Sequence, residues 1–277
     1  MKISIRRLSL AATIVLVAAG AGVSYAGPEP LPADDSDLQL VLNVAGNRLY
    51  VIEDGERTRT YKVSVGMRGY ETPAGDYRIR EVIWNPWWHP PDSEWARGRV
   101  PEPPGPANPM GRVKLNFAPL LYIHGTVDTQ ALGEPASRGC VRMRNEDLIE
   151  LTRLVHEYSS PKVSEDVLDE LAASPTDTRT VRLQRPVRFT AVYEVAAVDE
   201  GFLIIYPDVY GLVKEQVREE VEAVLQEYGI NPDTVDRATL DRLVQKSGSR
   251  RVAIALDDLR AGASGMTPQI AADDAQR

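Results

Sequence analysis

The chain has 277 residues, 43% hydrophobic and 26% charged, with a net charge of −8 and one cysteine. That length suits one sizeable domain with an accessory one, and the acidic balance excludes nucleic acid as a partner, because phosphate affinity needs a basic surface. A single thiol forms no internal disulfide, so Cys140 is either a small buried side chain or a reactive one.

Residues 1–26 read as a secretory signal. Lys2, Arg6 and Arg7 make a basic start, residues 8–23 an apolar run, and Ser24-Tyr25-Ala26 a cleavage site with small residues. About 16 apolar residues fall short of the ~20 that span a bilayer, so the segment touches a membrane only if it stays uncleaved. Export puts the protein in the periplasm or cell wall. Residues 27–37, rich in Pro and acid, read as a linker.

Leu38, Leu40, Leu42 and Val44 alternate as in a strand. Turns at Gly46-Asn47 and Asp54-Gly55 lead to strands over 49–52 and 61–65, an antiparallel meander, and another strand follows at 77–79. Residues 84–119 hold all four tryptophans and nine of the 20 prolines. So much proline argues against a helix or a central strand, and so much tryptophan against disorder. An ordered aromatic loop is expected, packed over the sheet or lining a cleft.

Residues 120–123 read as a buried strand ending at His124. Asn145, Glu146 and Asp147 open a helix in which Leu148, Leu151, Leu154 and Val155 recur at helical spacing, which leaves Cys140 on a loop just before it. A helix over 163–173, strands near Val181, 187–189 and 202–205, and helices over 217–228, closed by Gly229, and 239–246 follow. The tail from 262 reads as disordered.

Only a thiolate is a strong nucleophile, and a free thiol with a pKa near ~8.5 needs a base or a positive environment. His124 is the candidate base, with a backbone carbonyl at or near Gly125 to hold its tautomer. Gly139 allows a tight turn that aims amide N–H groups at an oxyanion. On residue types alone the pair reads more often as a packed thiol and a structural histidine than as a catalytic couple. His89 and His156 read as structural or exposed. Three histidines and one cysteine make no zinc site, so neither metal nor cofactor is expected.

Ile123-His124-Gly125-Thr126, followed after a mid-teens gap by Ser137-Arg138-Gly139-Cys140-Val141-Arg142, resembles the L,D-transpeptidase catalytic domain, the YkuD-like family of bacterial cell-wall enzymes. Asn85-Pro86-Trp87-Trp88 with Pro90-Pro91, the stretch from Pro104 to Gly111, and Arg144-Asn145-Glu146-Asp147-Leu148 extend the likeness. Arg138 stands where many members have histidine. The resemblance is good over 38–155 and reaches Arg185-Pro186 and Tyr206 to Gly211. It implies a mainly β fold, a mixed β-sandwich with a His/Cys cleft over 38–190, followed by a smaller α/β extension over 191–261.

The resemblance further implies Cys140 as nucleophile and His124 as base, with Gly125 and Gly139 supporting backbone orientation or an oxyanion. Arg142, Ser137 and Arg138 would bind substrate; Arg142 and Arg144 either hold stem carboxylates or are solvated. The implied partners are a peptidoglycan tetrapeptide donor and an amine acceptor stem. The thiolate attacks the carbonyl at the L-centre of diaminopimelate, D-alanine leaves, and the amine resolves the thioester to a 3-3 cross-link. Water in place of the amine gives an L,D-carboxypeptidase. A catalytically silent envelope-binding module is the reading from another class, and the absence of a second cysteine disfavours disulfide exchange. The resemblance also implies that carbapenems acylate Cys140.

Overall fold

The computed structural model describes residues 38–160 and 162–260; the expected signal, linker and tail lie outside the described residues. The meander forms as expected, from β1 (Leu38–Asn43), β2 (Arg48–Glu53) and β3 (Glu56–Lys62), each antiparallel to the next. Asp54 and Gly55 both take positive φ in the tight turn between β2 and β3. The strand expected over 61–65 divides, since β3 ends at Lys62 and a two-residue β4 (Val65–Gly66) follows.

β5 (Gly75–Trp84) is followed by the proline- and tryptophan-rich segment. Over 85–112 this is the ordered loop expected. Asn108 Nδ2 donates to the carbonyls of Pro86, Glu102 and Pro103, Trp88 pairs with Glu102, and Arg99 lies 4.4 Å over the Trp88 ring. The exclusion of a central strand fails at β6 (Val113–Ala118), which lies between β5 and β7 (Leu121–Thr126). The prolines stop at Pro109 and resume at Pro119, and the average over the segment hid the alternation of Val113, Leu115 and Phe117, all buried.

A crossover through β8 (Pro135–Ser137), which pairs with β4, brings β9 (Val141–Arg144) parallel to β7. α1 (Asn145–Ser159) then packs Leu148, Leu151 and Val155 into the core. It starts at the expected residue, but the Asn145 side chain does not cap it. Its Oδ1 accepts from Arg112 N at 2.9 Å and its Nδ2 donates to Thr126 O at 3.2 Å, clamping the start of β6 to the end of β7. Gly125 lies in that clamp, where a Cβ would come within 2.1 Å of Asn145 Oδ1.

α2 (Glu165–Ala173) precedes β10 (Arg179–Val192), one strand where two short ones were expected. Its register against β5 shifts between Arg182 and Val187, which is how an interior strand tolerates Pro186. β10 also pairs parallel to β1, giving an eight-stranded mixed sheet in the order β3-β2-β1-β10-β5-β6-β7-β9. The fold is mainly β.

A second, smaller core follows. β11 (Ala196–Asp199), β12 (Phe202–Ile205), α3 (Val217–Glu227), α4 (Arg237–Ser247), β13 (Val252–Ala255) and α5 (Leu256–Arg260) enclose Leu203, Val221, Leu225, Leu243 and Val252. Asn43 ties it to the large sheet, donating to Glu194 O at 3.1 Å, and Arg57 pairs with Asp199. No helix among the described residues is long and apolar enough to cross a membrane.

Two predictions follow from this packing. Gly125→Ala will destabilise the chain by about 2 kcal/mol or more in denaturant unfolding, and the same substitution will cost less in an Asn145→Ala background; equal costs would place the conflict elsewhere. His156, buried in α1, accepts the Trp84 indole N–H at Nε2 over 3.1 Å, and burial pushes it down to about 4. The unfolded chain takes up that proton near 6.5, so the folded state loses stability as pH falls from there towards 4. His156→Gln, which keeps an acceptor for the indole, should lose less Tm than the parent between pH 6.5 and 4.5; identical slopes would remove His156 from the acid response.

Candidate active site

Residues paired across neighbouring strands point to the same side of a sheet, and successive residues alternate. Leu115, Ile123 and Val141 form one such row across β6, β7 and β9, and all are fully buried against α1. The next row, Lys114, His124 and Arg142, therefore faces the other way. Asn116 and Tyr122 pair on that face too, and Cys140, two residues before Arg142 where the chain enters β9, joins them. The register thus gathers a thiol, an imidazole and two cations on one surface.

His124 is 6% exposed, and its Nδ1 lies 2.7 Å from the carbonyl oxygen of Gly125. A carbonyl only accepts, so Nδ1 carries the proton and Nε2 keeps its lone pair. Burial pushes His124 down to about 4; the Gly125 carbonyl opposes this, and the charges of Arg142 and Lys114 add to it. The imidazole is neutral at physiological pH.

The Cys140 thiol is partly buried, and its Sγ–H donates to the Leu120 carbonyl at 3.7 Å. Leu120 holds a positive φ of 61° in the turn joining β6 to β7. Burial pushes the thiol above its ordinary range, while the backbone of Tyr122 and the charges of Arg142 and Lys114 pull the other way. At rest the pair is a neutral imidazole and a protonated thiol. That arrangement suits a proton transfer coupled to attack rather than a stored thiolate.

The loop before the thiol is bound to itself and to its neighbours. Gly139 takes φ 99°, a conformation that favours glycine. Ser137, 1% exposed, donates from its hydroxyl to the Cys140 carbonyl and accepts the Gly139 N–H at 3.2 Å. Its hydroxyl therefore serves the loop, and the Gly139 N–H is already engaged. The Gly139 carbonyl accepts from Thr72 Oγ1 at 2.9 Å.

Arg138 is exposed, with its guanidinium 4.4 Å over the Trp95 ring and 5.8 Å from that of Tyr70. Such stacking leaves the guanidinium edge open for a carboxylate. Trp95 belongs to the proline-rich segment, which thus reaches the thiol loop. Arg144 sits 3.8 Å from Asp147, and His89 stacks on Trp87 with centroids 6.3 Å apart. Sequence reasoning missed Lys114, whose ammonium lies 4.6 Å over the Tyr122 ring and whose charge acts on both Cys140 and His124. The alternation of 113–118 was the signal that could have found it.

The family model of YkuD, the L,D-transpeptidase catalytic domain, matches residues 38–178. A Bacillus licheniformis protein named as an L,D-transpeptidase, YkuD, is 29% identical over 136 residues, 49% of this chain and 70% of its own length. YbiS of Escherichia coli K12, named in the same way, is 34% identical over 118 residues, 39% of this chain and 39% of its own length. Among solved structures, the catalytic domain of an E. faecium L,D-transpeptidase is 12% identical with a TM-score of 0.37, the alignment covering 57% of this chain and 98% of that one. The family match takes in both the His124 strand and the Cys140 loop and spans half of the sequence, and on that match the chain belongs to the L,D-transpeptidase catalytic-domain family.

Proposed function

We propose that the chain is an exported L,D-transpeptidase that works through a thioester on Cys140, with His124 as its base. The observation that carries this reading is the bond from His124 Nδ1–H to the Gly125 carbonyl, which leaves Nε2 free to accept a proton on the face that holds the Cys140 sulfur. In the proposed reaction Nε2 takes the thiol proton as sulfur attacks the carbonyl at the L-centre of diaminopimelate in a tetrapeptide stem. The imidazolium then gives that proton to the departing D-alanine. An acceptor amine resolves the thioester, returning the thiol and forming a 3-3 cross-link.

Lys114 and Arg142 supply positive charge where negative charge develops on sulfur and on the carbonyl oxygen. Arg138, held by Trp95 and Tyr70, presents its edge to a stem carboxylate beside the thiol. The catalytic unit runs over 38–190, and the signal read in residues 1–26 delivers it to the periplasm or wall. Neither metal nor cofactor takes part in this chemistry.

Incubation of the protein with tetrapeptide muropeptides, followed by mass analysis, tests the reading. Cross-linked dimer with release of D-alanine is expected, tripeptide alone would make the enzyme a carboxypeptidase, and unchanged substrate would favour the binding module. Cys140→Ala and Cys140→Ser should both fold and both be inactive, because a hydroxyl ionises far less readily than a thiol. A carbapenem should add once, to the peptide bearing Cys140, and not to the alanine variant.

His124→Gln should slow turnover at neutral pH by on the order of 10²-fold. A base with its pKa lowered to about 4 stays competent well below the usual histidine range, so the acid limb of kcat/KM should lie below pH 6.5; a limb at or above that value would refute the neutral resting pair. Lys114→Met should lower kcat more than it raises KM.

A further inference from the structure

The smaller core lies beyond the family match, yet the loop between its β12 and α3 reaches towards the nucleophile loop. Tyr210, 6% exposed, donates its hydroxyl to the Gly66 carbonyl at 2.6 Å and accepts the Thr72 N–H at 3.1 Å. Thr72 Oγ1 accepts the Gly66 N–H at 2.8 Å and donates to the Gly139 carbonyl at 2.9 Å. One phenol therefore fixes both sides of the Gly66–Thr72 contact, and the threonine hydroxyl passes that constraint to the residue before Cys140. The contact is tight: a Cβ on Gly66 would come within 2.0 Å of the Tyr70 carbonyl oxygen.

Tyr210 is itself held by other residues beyond the family match. Its N–H donates to the Tyr193 hydroxyl at 3.0 Å, and the two rings stack with centroids 5.3 Å apart. Asp208 gathers the turn around it, accepting from the Tyr193 hydroxyl at 2.7 Å and from the N–H groups of Leu212, Val213 and Lys214. Burial would raise the Asp208 carboxyl, but these donors hold it below its ordinary range, so the hub stays ionised at neutral pH.

We infer that Tyr210 is a positioning residue for Cys140, acting through Thr72 on the Gly139 carbonyl, so that the segment beyond the family match sets the geometry of the nucleophile loop. The inference rests on Cys140 being the nucleophile. Its mechanism is alignment. With Gly139 anchored, the Cys140 sulfur is held against the backbone of Tyr122 and within reach of the charges of Lys114 and Arg142, all of which favour the thiolate. With the anchor gone the loop drifts, and displacement of a reacting group by ~1 Å is enough to cost up to ~10²-fold in rate.

The test is alkylation of Cys140 by iodoacetamide from pH 5 to 10 on the full chain, beside muropeptide turnover. Iodoacetamide reads the thiolate alone, so it reports on the loop whether or not the transpeptidase reading holds. Tyr210→Phe keeps the ring and removes the hydroxyl. The alkylation profile should move up by about half a pH unit, slowing the reaction at pH 7 about threefold, while kcat falls about tenfold and KM changes less than twofold. Thr72→Val should shift the profile in the same way, and Thr72→Ser, which keeps the hydroxyl, should restore the parent profile. The double variant Tyr210→Phe/Thr72→Val should be no worse than the worse single one, because both act on one path. A folded Tyr210→Phe whose alkylation profile superimposes on the parent, or additive shifts in the double variant, would overturn the inference. If Tyr210→Phe does not fold, the Thr72→Val and Thr72→Ser pair decides by the same profiles.

Discussion

Parallel pairing of β7 with β9 in the register Ile123 to Val141 is the constraint on which the rest depends. Side chains on a strand alternate, so this register assigns Ile123 and Val141 to the core and His124, Cys140 and Arg142 to the opposite face. A slip of one residue would put the imidazole among leucines and a valine in the cleft. The register is held from one face and from the edge. Behind the sheet, fully buried Leu115, Ile123, Val141 and Met143 pack on α1; along the outer edge of β9, Ser64 exchanges both backbone hydrogen bonds with Arg142. Asn145 then fixes the end of β7 to the start of β6 through the gap left by Gly125. Gly125 thus has two uses, as its carbonyl orients the imidazole and its missing side chain admits the clamp.

Much of this could be read from residue order. Alternation at 38–44 and turn residues at Asp54-Gly55 specify the meander locally, and the helical spacing of Leu148, Leu151 and Val155 specifies α1. These signals lie within one element, where propensity and pattern act together. Composition misled where it averaged over unlike neighbours: a central strand of six residues sat unnoticed between Pro109 and Pro119. β10 was divided because Pro186 reads as a breaker unless a register shift absorbs it, and the shift depends on the partner strand.

The site was readable as a pair of motifs but not as an environment. His124 and Cys140 stand out by type, whereas Lys114 and Tyr122 gain meaning only when β6 and β7 are laid side by side. The electrostatics likewise come from burial. A cleft wet enough to leave His124 at its ordinary pKa would give it a mixed charge state near neutrality. Enclosure keeps it neutral and leaves it a base. The same enclosure holds the thiol protonated, and the two cations on that face oppose it without reversing it.

Placing the Cys140 thiol on a loop gives access but forfeits the rigidity that a sheet provides, so the loop must borrow its geometry from elsewhere. Here it borrows from three directions. Ser137 closes it on itself, Thr72 draws its Gly139 carbonyl towards Gly66, and the Trp95 and Tyr70 rings hold Arg138 at its edge. Two of these supports come from segments remote in sequence, one rich in proline and one governed by Tyr210. Each support is already ordered in the fold, so holding the loop costs little further backbone entropy. The proline-rich segment is stiff by composition, and the turn at Tyr210 is stiffened by four hydrogen bonds converging on Asp208. The loop that carries Cys140 is thus held between two ordered segments, one on the side of Arg138 and one on the side of the Gly139 carbonyl.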